Sequence, residues 1–87
     1  MNKPNNQKKK KSQEAIKKIF LQLIQEKEIQ EISVSNICKL AHINRSTFYA
    51  NYLDIYDLAD KIREEMFYNL LELFKEEALK VITLMII

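Results

Sequence analysis

The stretch ISVSNICKLAHINRSTFYANYLDIYDLADKI (residues 32–62) decides the fold of this 87-residue chain. It contains neither glycine nor proline, so Ser, Asn, Asp and His must form its turns, and helix is the default between them. Ser33, Asn44 and Asp54 each carry an oxygen that can accept a hydrogen bond from an unpaired N–H of a first helical turn. These caps predict helices over about 34–40 and 45–51, and a further helix from residue 55.

Apolar positions at helical spacing predict which sides of these helices face inward. In the two short helices they are Val34, Ile37, Cys38, Ala41 and Phe48. The three residues 41–43 form the turn between the helices, and we predict a positive φ at His42 because His adopts it more often than most non-glycine residues. Asn51 is predicted to tolerate a left-handed helix end for a similar reason.

The remaining sequence predicts two longer helices and a tail. A helix over about 12–27 has its apolar stripe at Ile16, Ile19, Phe20, Leu23 and Ile24, and residues 28–32 connect it to the stretch above. The helix from 55 has a stripe at Ile55, Leu58, Ala59, Ile62 and Met66 and meets no breaker toward Ile87. Residues 1–11 are expected to be a flexible basic tail. The expected fold class is all-α, a three-helix bundle over 12–53 followed by one long fourth helix over 54–87.

Composition argues against several classes of function. Hydrophobic residues make up 47% and charged residues 30% of the chain, which is typical of a globular protein, and no 18-residue apolar run could span a membrane. One cysteine and one histidine predict no internal disulfide and no metal site, and the lack of glycine predicts no phosphate-binding loop. The acids on the helix from 54 have no His or Lys arranged as a partner, so we expect no enzyme, no cofactor and a cytoplasmic protein.

Charge divides the chain into two unlike halves. Residues 1–50 contain ten Lys/Arg and four Asp/Glu, a net charge of +6, whereas residues 51–87 contain four and eight, a net charge of −4. This asymmetry indicates a basic half that faces a polyanion and an acidic half that faces elsewhere. The run Lys8–Lys11 is either a solvated tail or an arm that lies on phosphates beside the main site.

The predicted helix over 45–51 has an unusual outward side. With Phe48 inward, the outward residues are Asn44, Arg45, Ser46, Thr47, Tyr49, Ala50 and Asn51. Arg can bind guanine bidentately, Asn can bind adenine, hydroxyls can hold phosphates or bases, and no acid is present to repel phosphate. Two short helices joined by three residues match a helix-turn-helix over about 33–52, although spacing alone fits an ordinary corner of a helical bundle equally well.

Residues 14–66 resemble the N-terminal DNA-binding domain of the TetR/AcrR family of bacterial transcriptional regulators. The most specific part is INRSTFY (43–49), followed by Tyr52, Asp54 and the pair Asp57–Leu58. The resemblance implies a sequence-specific regulator of double-stranded DNA in the bacterial cytoplasm, expected to be a repressor, whose third helix enters the major groove. It implies DNA contacts from Ser33, Ser35, Arg45, Ser46, Thr47, Tyr49 and Asn51, and the outward Asn44 is expected to join them.

Members of this family dimerise and bind an inducing small molecule through a second helical domain, which we expect to be missing from this chain. We therefore expect a homodimer on an inverted-repeat operator, joined through the fourth helix or the missing domain, with no inducer site in this chain. The resemblance has departures: His42 stands where the family often has glycine, and Ala50, Leu53 and Ile55 stand where it often has basic residues.

The sequence leaves three points open. The departures equally suit a truncated or degenerate regulator that acts as a helical protein-interaction module without specific DNA binding. The apolar segment 66–87 is a dimer face, the start of a larger domain, or core for the first helix. Cys38 is expected to be a small buried hydrophobe, and a redox-sensing role would require exposure and a lowered pKa.

Overall fold

The computed structural model describes residues 4–87, with side chains from Gln7 onward. Its helices are α1 (Pro4–Leu23), α2 (Val34–Ala41), α3 (Arg45–Asn51), α4 (Ile55–Leu73) and α5 (Lys75–Ile86), with a 3₁₀ turn at Ile29–Glu31. The predicted all-α class is therefore confirmed over these residues. No helix in this part of the chain is both long and apolar enough to cross a membrane.

One apolar core joins the first four helices. Its four fully buried side chains are Ile16 of α1, Ile37 of α2, Phe48 of α3 and Leu58 of α4. Each such side chain contributes about 1.5–3 kcal/mol relative to an exposed one. Phe20, Leu23, Ile32, Cys38, Tyr52, Ile55 and Ile62 complete the buried set. α1 contacts both α2 and α3, which also contact each other, so the short helices are held against a longer one.

The predicted core is mostly right, with errors at its edge. Tyr52, which was not among the predicted inward positions, is buried, and its ring packs 5.5 Å from the ring of Phe48. Ile24 and Met66, which were predicted to face inward, are 40% and 57% exposed. Ile24 follows Leu23, the last residue of α1, and Met66 lies in the part of α4 after Ile62 where every residue is exposed, so the apolar spacing continues beyond the core at both positions.

Both bounds of the first helix differ from the prediction. α1 begins at Pro4 rather than Ser12, so residues 4–11, predicted to be a flexible tail, are helical, and residues 1–3 lie outside the described residues. Gln and Lys are good helix formers, and proline suits a first helical position because its missing N–H would have no partner there. At the other end α1 stops at Leu23 rather than 27, and the N–H of Lys27 bonds back to the Leu23 carbonyl at 2.9 Å.

The predicted single helix over 54–87 is two helices. Phe74, at φ −101° and ψ 10°, separates α4 from α5, while its N–H still donates to the Leu70 carbonyl at 3.1 Å. Neither glycine nor proline marks this break. Glu76 and Glu77 lie in the first turn of α5, where negative charge favours a helix start. Every residue after Ile62 is exposed, so packing within the described chain does not impose the break at Phe74.

The cap of α2, the turn after α2 and the cap of α4 all follow the prediction. Ser33 Oγ accepts from the Asn36 N–H at 3.0 Å, and Asp54 Oδ1 accepts from the Asp57 N–H at 2.8 Å. His42 is left-handed as predicted, at φ 58° and ψ 45°, and its N–H bonds back to the end of α2. The turn therefore needs no glycine, because histidine tolerates this conformation.

Two other terminal predictions are wrong. Asn44 occupies the position before α3 with extended backbone, but its side chain makes no capping bond to the described residues. Asn51 ends α3 without a left-handed residue, since Tyr52 follows it in extended conformation at φ −139°. The backbone becomes extended after α3 because the side chain of Tyr52 is buried in the core.

Replacing His42 tests the left-handed backbone. His42→Gly should keep or raise the free energy of unfolding, whereas His42→Val should lower it by about 1–2 kcal/mol, because a β-branched residue is disfavoured at positive φ. Urea denaturation followed by circular dichroism measures both variants. The side chain is exposed, so lost packing contributes little, and equal stabilities of the two variants would contradict this expectation.

Candidate nucleic-acid interface

The rotation of α3 about its axis decides which of its side chains solvent can reach. Phe48 is fully buried, which turns Arg45, Ser46 and Tyr49 outward. The Tyr49 ring is 53% exposed and meets the Phe48 ring edge-on at 5.4 Å between centroids. The burial of one phenylalanine thus presents a guanidinium, a hydroxyl and a phenol on one surface.

The eight residues predicted to contact DNA lie on this surface or at its margin. Six are exposed, namely Ser33, Ser35, Asn44, Arg45, Ser46 and Tyr49, and two are half-buried, Thr47 and Asn51. They come from α3, the start of α2 and the residues that precede the two helices. We call these eight residues the α2–α3 face.

The α2–α3 face joins the beginnings of its two helices through one hydrogen bond. Arg45 Nη2 donates to Ser35 Oγ at 2.9 Å, and both side chains are exposed. An exposed bond of this kind contributes little net stability because water competes for both partners. The guanidinium is therefore positioned but free to exchange this acceptor for another.

Asn51 has a structural role that the sequence did not predict. Its Nδ2 donates to the Thr47 carbonyl at 2.8 Å, and its Oδ1 accepts from Gln13 Nε2 of α1 at 3.1 Å. The half-buried amide therefore ties the end of α3 to α1. Gln13 is the partner that sequence reasoning missed, and its position one turn before the core stripe of α1 is the signal that could have indicated it.

A second polar cluster fixes the junction between α3 and α4. Asp57 Oδ2 accepts from the Leu53 N–H at 2.8 Å and from Lys61 Nζ at 3.1 Å. Lys61 also donates to the Asn51 carbonyl at 3.4 Å and lies 5.6 Å from the centre of the Tyr52 ring. The hydrogen bond from the Leu53 N–H makes the largest contribution to lowering the pKa of the Asp57 carboxyl. The hydrogen bond from Lys61 lowers that pKa further. This cluster holds the end of α3 against α4.

The charge around the α2–α3 face is positive. The sequence from Ile32 to Leu53 contains no acid, and its two charged residues are Lys39 and Arg45, both exposed. Lys8 and Lys9 of α1 line a cleft of about 400 Å³ together with Ser12 and the α3 residues Ser46, Thr47, Ala50 and Asn51. The helical course of α1 therefore brings two lysines of the N-terminal run beside α3.

Cys38 is buried as predicted, with its Sγ 3.9 Å from the Asn44 carbonyl oxygen. Burial raises the pKa of its thiol, and the nearby Arg45 opposes this only in part. A thiol with a raised pKa is a poor nucleophile, so the side chain acts as apolar packing. Across residues 4–87, His, Cys, Asp and Glu side chains form no group of three that could hold a metal ion.

An apolar groove lies between the end of α1 and the middle of α4. Its volume is about 810 Å³, and its apolar lining includes Phe20, Ile24, Ile62, Met66 and Phe67. Lys27, Glu28 and Arg63 add charge at its margin. This groove has none of the eight residues of the α2–α3 face in its lining.

No family model, curated protein or solved structure matches this chain. The resemblance of residues 14–66 to the TetR/AcrR domain therefore rests on the motif residues of the chain itself. Its functional implications are proposals, and they depend on the chemistry of the α2–α3 face.

A double-mutant cycle measures the tie between α1 and α3. Gln13→Ala and Asn51→Ala should each lower the free energy of unfolding by about 0.5–1.5 kcal/mol, since each removes a half-buried hydrogen bond. The double variant should lose less than the sum, because both substitutions remove the same bond. Urea denaturation gives the three values, with Gln22→Ala as an exposed control on α1. Strictly additive losses would show that the two side chains act independently.

Asp57→Asn tests the carboxylate at the α3–α4 junction. Because folding lowers the pKa of Asp57, its stabilising effect is complete above the ordinary carboxyl pKa and is lost as pH falls through the lower folded-state pKa. The stability of the parent should therefore fall more steeply below about pH 4 than that of the variant. Urea denaturation at several acidic pH values measures this, and parallel pH profiles would rule the effect out.

Proposed function

We propose that this chain is a double-stranded DNA-binding transcriptional regulator of the TetR/AcrR type, acting as a repressor. In this proposal α2 and α3 form a helix-turn-helix, and α3 enters the major groove and reads base edges. The observation that carries it is the surface of α3: buried Phe48 turns Arg45, Ser46 and Tyr49 outward in a stretch that contains no acid.

The side chains of the α2–α3 face have chemistry suited to both parts of DNA recognition. The Arg45 guanidinium can bind guanine O6 and N7 bidentately once it leaves Ser35. Hydroxyls of Ser46, Thr47 and Tyr49 can bond to phosphates or bases. Ser33 and Ser35 lie at the start of α2, where the N–H groups and the dipole of a helix favour a phosphate. Asn44 and Asn51 have amides at the edges of this surface.

Burial explains part of the departure from the family pattern. Ile55 stands where family members often have a basic residue, but here it is buried at the first position of α4 and cannot reach a phosphate. Ala50 and Leu53 are exposed and neutral. Positive charge beside α3 comes instead from Lys39 of α2 and from Lys8 and Lys9 of α1. Clamping of the DNA backbone is therefore assigned to different helices in this chain.

A second copy of the chain completes the proposed function. Single modules bind non-specific DNA with a Kd of about 10⁻⁴–10⁻⁶ M at physiological salt, and two half-sites raise both affinity and specificity. Large apolar side chains are exposed on α4, on α5 and at the residue between them, including Phe67, Leu70, Leu71, Phe74, Leu79, Ile82 and Leu84. Burying these residues between two copies would form a homodimer that reads an inverted repeat.

The same apolar surface favours a second candidate function. A contiguous exposed apolar patch marks an interaction site whatever the partner is. In this alternative the chain is a helical protein-interaction module, and the α2–α3 face does not bind a specific DNA sequence. The two candidates differ in what the α2–α3 face does, so a test of that face separates them.

Selection from a randomised pool of duplex DNA tests the proposed function. The parent should enrich an inverted repeat. Arg45→Ala should weaken binding to the enriched duplex by about 1–3 kcal/mol, a factor of about 5 to 150, and relax the preference at one base pair in each half-site. Arg63→Ala is the matched control, because Arg63 is an exposed arginine on α4 that pairs with Asp60.

The outcomes of this selection are distinct. A uniform loss across all sequences in Arg45→Ala would assign Arg45 to a phosphate instead of a base. Enrichment of a single half-site without a repeat would contradict the dimer. No enrichment by the parent would contradict sequence-specific DNA binding and favour the interaction module.

A further inference from the structure

The four consecutive lysines Lys8–Lys11 are part of α1, and this helical conformation separates them. Successive side chains of an α-helix point about 100° apart, so four neighbours cannot face the same partner. Lys8 and Lys9 line the cleft against α3. Lys10 and Lys11 line a different depression with Gln7 and Glu14. The four consecutive lysines therefore lie on two different surfaces of the molecule.

Packing fixes the rotation of α1 and hence the direction of each lysine. Ile16 is fully buried and Phe20 is 3% exposed, so the second half of α1 cannot turn about its axis. One turn before Ile16, Gln13 bonds to Asn51 of α3. Lys9 lies one turn before Gln13, and Lys8 lies one turn before Ser12, which also lines the cleft. The core thus determines which two lysines face α3.

The cleft suits one charged group of DNA. Its lining joins two ammonium groups with the hydroxyls of Ser12, Ser46 and Thr47, and none of the described residues lining it is acidic. These groups are hydrogen-bond donors to phosphate oxygens. The depression beside Lys10 and Lys11 includes the Glu14 carboxylate, which repels an anion.

We propose that the cleft between α1 and α3 binds a phosphodiester of the DNA backbone flanking the bases that α3 reads, and that Lys8 and Lys9 do this while Lys10 and Lys11 do not. The inference rests on the proposed function and adds to it a backbone contact made by a helix in fixed register. A flexible basic arm would use all four lysines alike. A helical arm uses only the two lysines that face the cleft. It also avoids the entropy cost of ordering a disordered segment on binding.

The salt dependence of DNA binding tests this division of the lysine run. Lys8→Ala/Lys9→Ala and Lys10→Ala/Lys11→Ala remove the same charge and keep a good helix former at each position. Each lost phosphate contact reduces the slope of log K against log salt by about 0.9, so the first pair, which removes the one phosphodiester contact of the cleft, should reduce it by about 0.9. The second pair should leave the slope close to that of the parent. Fluorescence anisotropy with the selected duplex, at several salt concentrations, provides the slopes.

Circular dichroism and thermal unfolding of both double variants establish that α1 stays helical. Equal reductions of the slope by the two pairs would overturn the proposed cleft contact while leaving the DNA-binding function intact. An unchanged slope in both pairs would do the same. If the parent binds neither the selected duplex nor an unrelated duplex, the proposed function itself fails, and the phosphate contact fails with it.

Discussion

Phe48 is the side chain of α3 that solvent does not reach, and its burial together with Ile16, Ile37 and Leu58 sets the position of every functional group described here. A seven-residue helix is too short to be stable alone, so α3 exists because it packs. The ring of Phe48 determines its rotation and leaves Arg45, Ser46 and Tyr49 in solvent. Removal of that ring would cost several kcal/mol and would also disrupt the α2–α3 face.

Polar bonds divide α3 into a firmly held end and a more adaptable one. Near its C-terminus, Asn51 bonds to Gln13 and Thr47, while Lys61 reaches the Asn51 carbonyl from α4. Near its N-terminus, Arg45 donates to Ser35 in an exposed pair, and the weak thiol donor of Cys38 lies 3.9 Å from the Asn44 carbonyl oxygen. The residues best suited to read bases thus lie at the end that can adjust, while the opposite end is anchored to two neighbouring helices.

Local chemistry made the middle of the chain predictable. Ser33, His42 and Asp54 each act through bonds or dihedral angles within a few residues, so spacing alone indicated α2, α3 and the start of α4. The predictions that were wrong or missing depend on contacts between distant residues or on weak, competing helix propensities. Gln13 and Asn51 are 38 residues apart, and the position of Gln13 before the core stripe of α1 does not by itself identify Asn51 as its partner. The start of α1 and the break at Phe74 lie in exposed segments, where small differences in helix propensity decide the outcome without a core to enforce one answer.

In the proposed homodimer, the exposed helical segment beyond Ile62 would link the folding of the chain to its concentration. No side chain between Arg63 and Ile87 is buried, and α5 is only twelve residues long. Helices of that length are marginal in water without tertiary contacts. The helicity of α5 and of the second half of α4 then depends on what covers their apolar side chains. In the proposed homodimer, folding of this segment and association would be one linked equilibrium, so the hydrogen exchange of its amides would report on binding of the second copy.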